Sequence, residues 1–238
     1  FGQPIVPTVN EYGGNGREPT HPALLDWLAA EFMDREWSMK EIHRLIVTSS
    51  TYRMAGTGAP ENHAIDPDNL FLWKKSARRM EGEIVRDNLL YIPGRLDAEM
   101  GGPDIDNHQA QDSRRKSIYL RHAHEKLVEF VQIFDGPSVS ECYMRETSVQ
   151  PHQALALANS KLTFLASEAL ASQIEETTTG DMDAFIEEAY LRILSRRPDE
   201  VEHQLCRDFL LASVKAEGSQ PTRDQYEKLI TVLFNHND

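Results

Sequence analysis

Apolar residues along this chain recur mostly at three- and four-residue intervals, the spacing of one helix face. Leu24, Leu25, Leu28 and Phe32 follow that period behind Thr20, a good N-cap, with Pro22 in the first turn, where its missing N–H costs nothing. Ser38-Met39-Lys40-Glu41 reads as a capping box and opens a helix that turns Ile42, Leu45 and Ile46 inward. The period predicts a long helix over about 69–92, with a break near Lys75, that buries Met80, Ile84 and Leu89. It predicts further helices over 126–134 and from 151 toward 174. Asp181 caps a helix burying Phe185, Ile186, Ala189, Leu191 and Leu194, and Pro198 ends it by pushing the residue before it out of helical geometry. Asp199-Glu200-Val201-Glu202 and Thr222-Arg223-Asp224-Gln225 repeat the capping logic and open two more helices. The last of these turns Leu229, Ile230, Leu233 and Phe234 inward.

Between these periods lie stretches with none. Residues 1–19 are rich in Gly and Pro and read as an extended arm; 55–68 and 97–113 read as loops. Ser117 to Leu120 is short and partly apolar. The fold expected is therefore mainly α, a multi-helix domain with long Gly/Pro-rich loops and at most a short extended or strand segment near 117–121. The expected organisation is the arm 1–19, a main helical body over 20–175, and a three-helix C-terminal subdomain over 181–238 packed on it.

Composition narrows the function classes. The chain has 238 residues, 40% hydrophobic and 26% charged, with a formal net charge of -13. Such an acidic surface repels nucleic-acid backbones, which argues against general DNA or RNA binding. Mean hydropathy is -0.51, and no stretch approaches the roughly 20 apolar residues of a membrane helix. Two cysteines, Cys142 and Cys206, cannot build a disulfide framework or a four-cysteine metal site.

Candidate chemistry concentrates on the predicted helix over 69–92. Arg78, Arg79, Glu81, Glu83, Arg86 and Asp87 crowd it, and Arg79, Glu83 and Asp87 recur every four residues on one face. This is either a solvated charged face or a buried Arg–carboxylate network that orders loops or binds an anion. Arg79, Arg86, Arg114 and Arg115 are the anion-binding candidates. Glu83, Asp87, His21 and His43 are the acid–base candidates, since proton transfer needs a titratable group beside substrate. His122-Ala123-His124-Glu125 would place two histidines on one side of a strand. No third ligand stands at a recognisable spacing and there is no His-Glu-x-x-His, so His122 and His124 carry no metal assignment. The sequence holds no Gly-x-Ser-x-Gly elbow, no phosphate loop and no Cys-x-x-Cys-His haem attachment motif; Gly13-Gly14-Asn15-Gly16 is a loop signal only.

Together these strings form a recognisable order: Phe1-Gly2; Pro19-Thr20-His21-Pro22 with Leu24-Leu25-Asp26-Trp27-Leu28-Ala29; His43-Arg44-Leu45-Ile46 with Thr51-Tyr52-Arg53; and Asp66-Pro67-Asp68-Asn69. Arg78-Arg79-Met80-Glu81 with Arg86-Asp87, Gly101-Gly102-Pro103, and Arg114-Arg115 with Ser117 and Tyr119 come next. Phe134-Asp135, the run Gln153-Ala154-Leu155-Ala156-Leu157-Ala158-Asn159 and Leu194-Ser195-Arg196-Arg197-Pro198 close it. In order and spacing the chain resembles the planctomycete "PSD" domain, domain of unknown function 1553, found at the C-terminal end of large proteins that also carry a cytochrome-c-like domain.

The resemblance covers nearly the whole chain and places Phe1-Gly2 inside the family's domain, so it implies truncation at the domain's N-terminal end. It also implies an exported or periplasmic multidomain parent, with preceding domains as partners and haem confined to a separate upstream domain; no cofactor is expected in this chain. The family brings no reaction and no catalytic residues. Three functions follow as expectations. One is a helical binding or scaffolding module that grips a partner domain or an anionic ligand. Another is a hydrolase-like enzyme acting on polysaccharide or a sulfated or anionic substrate. The third is an acidic docking partner for a cytochrome.

Overall fold

The computed structural model describes residues 1–9, 11, 13–124, 126–140, 145, 148, 150–212 and 221–236. Cys142 and Glu125 lie outside them. The described residues form ten α-helices, joined by loops with two short 3-10 turns and three isolated β-bridges, so the protein is mainly α as expected. Among the described residues no helix is long and apolar enough to cross a membrane. The chain packs as two compact units, Phe1–Arg79 and Met80–Asp238.

In the first unit, α1 (Pro22–Asp34) and α2 (Met39–Thr48) form a hairpin, followed by a short α3 (Pro60–Ile65). Ser38 caps α2 by accepting the Glu41 N–H, as its sequence predicts. Thr20 does not cap α1. Its N–H and hydroxyl both donate to the Ile5 carbonyl, so it ties the arm to the helix start, and His21 takes the cap position without a side-chain cap bond. Pro60 sits at the first position of α3, inside the stretch expected to be loop; its fixed φ favours a helical turn there.

The long helix expected over 69–92 is mostly absent. Residues 69–81 are not helical, and α4 is only Gly82–Tyr91. Polar side chains claim the backbone first. Asp66 accepts the N–H groups of Leu70 and Phe71. The Asn69 amide donates to the Lys74 carbonyl and Ser76 hydroxyl and accepts the Lys74 N–H. Asn69 and Leu72 have φ of 55° and 54°, outside right-handed helix. Asp66 and Asn69 are the unit's buried side chains among the described residues, which include no buried apolar one. Met80 and Ile84, expected inside, are exposed; the buried face of α4 is Gly82, Arg86, Leu89 and Leu90.

The second unit carries the apolar core. The helices α5 (Glu129–Ile133), α6 (Pro151–Asn159), α7 (Lys161–Thr178), α8 (Met182–Leu194), α9 (Glu200–Leu211) and α10 (Arg223–Phe234) follow α4. Helix α5 is shorter than the 126–134 expected. The helix expected from 151 toward 174 is two helices, because Ser160 takes an extended ψ of 141° and caps α7 by accepting the Thr163 N–H at 3.0 Å. Leu170, Ala171 and Ile174 of α7 pack with Phe185, Ile186, Ala189 and Tyr190 of α8, Cys206 and Leu210 of α9, and Tyr226, Leu229, Ile230 and Leu233 of α10. Asp181 and the Asp199–Glu202 box open α8 and α9 as predicted. Gln225 is buried, accepts the Thr222 N–H and donates to the Leu210 carbonyl, so it joins the start of α10 to the end of α9.

Candidate functional site

The densest polar assembly lies where α4 faces the loop 97–121. Arg86 is 2% exposed, on the inner face of α4 beside Leu89 and Leu90. Its guanidinium donates to the carbonyls of Ala110 (2.9 Å), Ser113 (2.7 Å) and Arg115 (3.0 Å), to the Ser117 hydroxyl (3.2 Å) and to Asp87 (3.4 Å). Burial pushes the guanidinium down from its ordinary value while Asp87 works the other way, and an arginine stays charged under such opposition. Asp87 accepts the Ser117 N–H at 2.9 Å and the Ser117 hydroxyl at 2.6 Å. Adjacent residues of one helix thus converge on one loop turn, and both bond Ser117.

That turn is not a strand. Ser117–Tyr119 is a 3-10 turn, with single bridges on either side pairing Asp97 with Arg115 and Ile105 with Leu120. The Ser117 N–H is taken by Asp87, and Leu120 makes the next bridge. The Ile105 N–H donates to the Tyr119 carbonyl at 2.7 Å, and the Arg121 N–H to the Ile105 carbonyl at 2.9 Å. Arg115 donates to the carbonyls of Pro103 and Gly101, and its guanidinium stacks 3.9 Å from the Tyr119 ring centroid. The Tyr119 hydroxyl accepts the Gly101 N–H. Arg115, an anion-binding candidate by sequence, instead holds Gly101-Gly102-Pro103. Arg121 pairs with Asp104 and Asp106; it holds the Asp104 carboxyl below its ordinary range, while the Asp106 carboxyl is lowered first by the His108 N–H and then by the charges of Lys126 and Arg121.

Glu83 is engaged elsewhere. Arg145 donates to both its oxygens, at 2.8 and 3.0 Å, and lies 3.7 Å from Glu81. Burial raises the Glu83 carboxyl, but the Arg145 fork prevails and holds it below its ordinary value; the charge of His122 acts in the same direction. Gly82 is required at this corner: a Cβ there would lie 2.8 Å from the Val131 carbonyl oxygen of α5. A second latch repeats the Asp87–Ser117 pattern. Asp135, left-handed at φ 57° just after α5, accepts the Ser148 N–H (2.8 Å) and hydroxyl (2.6 Å) and the Gln153 amide of α6 (3.3 Å).

The remaining candidates are dispersed. Arg79 lies before α4 begins, so it shares no helix face with Glu83 or Asp87. His21, half-buried, has Nδ1 3.0 Å from the Thr20 hydroxyl, and His43 is exposed on α2; both belong to the first unit. His122 and His124 are exposed around a tight turn closed by Ala123 and Lys126, not on one side of a strand. Among the described residues no group of three or more His, Cys, Asp or Glu could hold a metal ion. Cys206 is free and buried against Tyr190, and burial pushes its thiol up, away from the reactive thiolate. Arg114 is exposed and lines a small cavity together with Arg95.

A family model described as a protein of unknown function, DUF1553, matches residues 1–210. The chain belongs to the DUF1553 family. No curated protein and no solved structure matches it. Set against this DUF1553 chain's geometry, the strings that carried the resemblance gain a physical meaning. Asp66 and Asn69, Arg86 and Asp87, Arg115 with Ser117 and Tyr119, and Asp135 with Gln153 each fasten a loop. Arg196 joins them, with a two-pronged bond to Glu202 at 2.7 Å on each oxygen. What the sequence missed is the partners. Arg145 and Ser148 stand in no conspicuous pattern, and the Glu83–Arg145 contact spans 62 positions. The available signal was a polar residue inside an otherwise apolar helix face, as Arg86 is between Gly82 and Leu89.

Chemically, this assembly is a set of acceptors already engaged by protein donors. A general acid or base needs an oxygen or nitrogen open to substrate. Glu83 and Asp87 each already accept two or more hydrogen bonds from the protein.

Proposed function

We propose that this DUF1553 chain is a helical binding and scaffolding module of a larger exported multidomain protein, and that its α1–α2 hairpin docks a preceding domain of the same parent. One observation carries the reading. The hairpin leaves Trp27, Met33, Trp37 and Met39 between 46% and 66% exposed, in a unit whose described residues include no buried apolar side chain. Large apolar side chains left this exposed on one hairpin mark an interaction surface, and a unit this small gains stability by covering them. Haem, in this reading, belongs to a separate upstream domain of the parent. That protein donors already hold Glu83 and Asp87 favours the module over the hydrolase alternative, which needs one of them to exchange such donors for a polysaccharide or sulfated substrate.

The test is titration of this chain with the preceding domains of its parent, read by calorimetry and tryptophan emission. Saturable binding with a blue shift, weakened at least tenfold by Trp37→Glu, is expected. No binding, or binding indifferent to Trp37→Glu, overturns the docking assignment. Turnover of a sulfated polysaccharide that Asp87→Asn abolishes would restore the hydrolase.

A further inference from the structure

A cavity of about 210 Å³ lies within the second unit, between the end of α4, the loop 111–114 and the first turns of α7. Its floor is hydrocarbon: Leu89, Leu90, Leu162, Leu165 and Ala166. Two arginines, Arg95 and Arg114, line it as well, and they make fewer bonds to the fold than Arg86 and Arg115 do. Arg114 has an exposed side chain; its carbonyl accepts the Asp97 N–H, but its guanidinium has no hydrogen bond or ion pair among the described residues. Arg95 donates one Nη1 N–H to the Leu165 carbonyl at 3.0 Å and has no other side-chain partner among them. That bond and the turn after α4 fix its position: Gly94 is left-handed at φ 66°, and the Arg95 N–H reaches back to the Leu90 carbonyl at 2.7 Å. Asp112 also lines the cavity and is paired with Lys161 at 2.8 Å, so the two guanidiniums outweigh the one carboxylate of the lining.

We propose that this cavity binds a small monocarboxylate bearing an apolar group, with the carboxylate on Arg114 and Arg95 and the apolar group on the leucine floor. A guanidinium matches a planar carboxylate in shape and in donor spacing. An apolar group on the floor displaces water that the leucines cannot hydrogen-bond. The size agrees: a cavity of about 150 Å³ takes benzene, so about 210 Å³ takes a six-membered ring with a carboxylate at its edge. The inference is independent of the docking reading and involves the other unit.

Benzoate is the probe, titrated into the full chain by calorimetry and followed by amide NMR shifts. A dissociation constant on the order of 1 mM is expected for so small a ligand, with shifts centred on Leu89, Leu165 and Arg114. Acetate, which lacks the apolar group, and benzyl alcohol, which lacks the charge, should each bind at least tenfold more weakly. Arg114→Gln should weaken benzoate about tenfold with the melting temperature unchanged, because that side chain holds nothing else. Leu162→Trp, which fills the floor, should abolish binding while the native spectrum persists. The proposal is overturned if benzoate shows no saturable binding, if acetate or benzyl alcohol binds as well as benzoate, or if Arg114→Gln leaves its affinity unchanged. A positive benzoate result with no binding of the preceding domains would retain this site and discard the docking reading; the reverse pattern would do the opposite.

Discussion

Replacing Arg86 with alanine takes a donor from five acceptors. The carbonyls of Ala110, Ser113 and Arg115, the Ser117 hydroxyl and the Asp87 carboxylate all accept from this guanidinium. The site is 2% exposed, so water cannot take over without opening the loop. Removing one member of a buried ionic network costs about 3–5 kcal/mol, because its partners stay buried and unpaired. Each kcal/mol lowers the melting temperature of a chain this size by about 2–4 °C, so Arg86→Ala should melt about 6–20 °C lower. Arg86→Lys should recover only part of this, since one ammonium cannot reach acceptors spread from 110 to 117 as a planar fork does. The assay is thermal and urea unfolding followed by circular dichroism at neutral pH. A loss below about 1 kcal/mol, or a lysine variant as stable as the original, would refute the reasoning: it would mean that the loop is not held by this residue.

Three other perturbations bear on the same account. Asp135→Ala removes the acceptor for the Ser148 N–H, the Ser148 hydroxyl and Gln153, and should cost about 2–3 kcal/mol in urea unfolding. Gly82→Ala places a Cβ 2.8 Å from the Val131 carbonyl; it should destabilise by about 1–3 kcal/mol, although alanine is the better helix former. The Glu202 carboxyl is held from 4.5 down to about 2, first by the Arg196 fork and then by the Asp199 N–H. Its lowered value in the folded state means that the pair contributes fully above about pH 4.5 and loses its contribution as pH falls toward 2. Because the pair is partly exposed, solvent limits that contribution to about 1 kcal/mol, and Arg196→Gln should flatten the stability profile between pH 5 and 2 by about that amount, as read by denaturant titration.

Much of the helical plan is written locally. Ser38, Asp181, Asp199 and Thr222 lie beside the turns they start, and the apolar periods of α8 and α10 point at the core they build, except that Leu191, expected inside, is exposed. Such features need only neighbours three or four residues away. The departures have longer-range causes. Asp66 and Asn69 capture the backbone of 70–74 and end the expected helix before it starts, and Ser160 divides α6 from α7 by turning extended and capping. In the candidate site, the sequence singles out Arg86, Asp87, Glu83 and Arg115 as unusual but suggests partners on one helix face. Apart from the Arg86–Asp87 contact and the stacking of Arg115 on Tyr119, the partners that hold the loops lie between 12 and 62 positions away, in stretches whose pattern has no period to read. The same residues that suggest an open anion site by composition are therefore the ones that close the loops, and Arg114 and Arg95 are left to face a cavity.

The central claim is that the loop 97–121 is fixed by side chains on α4 and its own polar latches. Native-state hydrogen exchange resolves it residue by residue. The amides of Asp97, Gly101, Ile105, Ser117 and Arg121 all donate within this assembly. The account predicts that they exchange slowly, through the same opening as Leu89 of α4, and that Arg86→Ala releases them together while α8 and α10 stay protected. Exchange of these five amides at the rate of an open chain in the unaltered protein would contradict it.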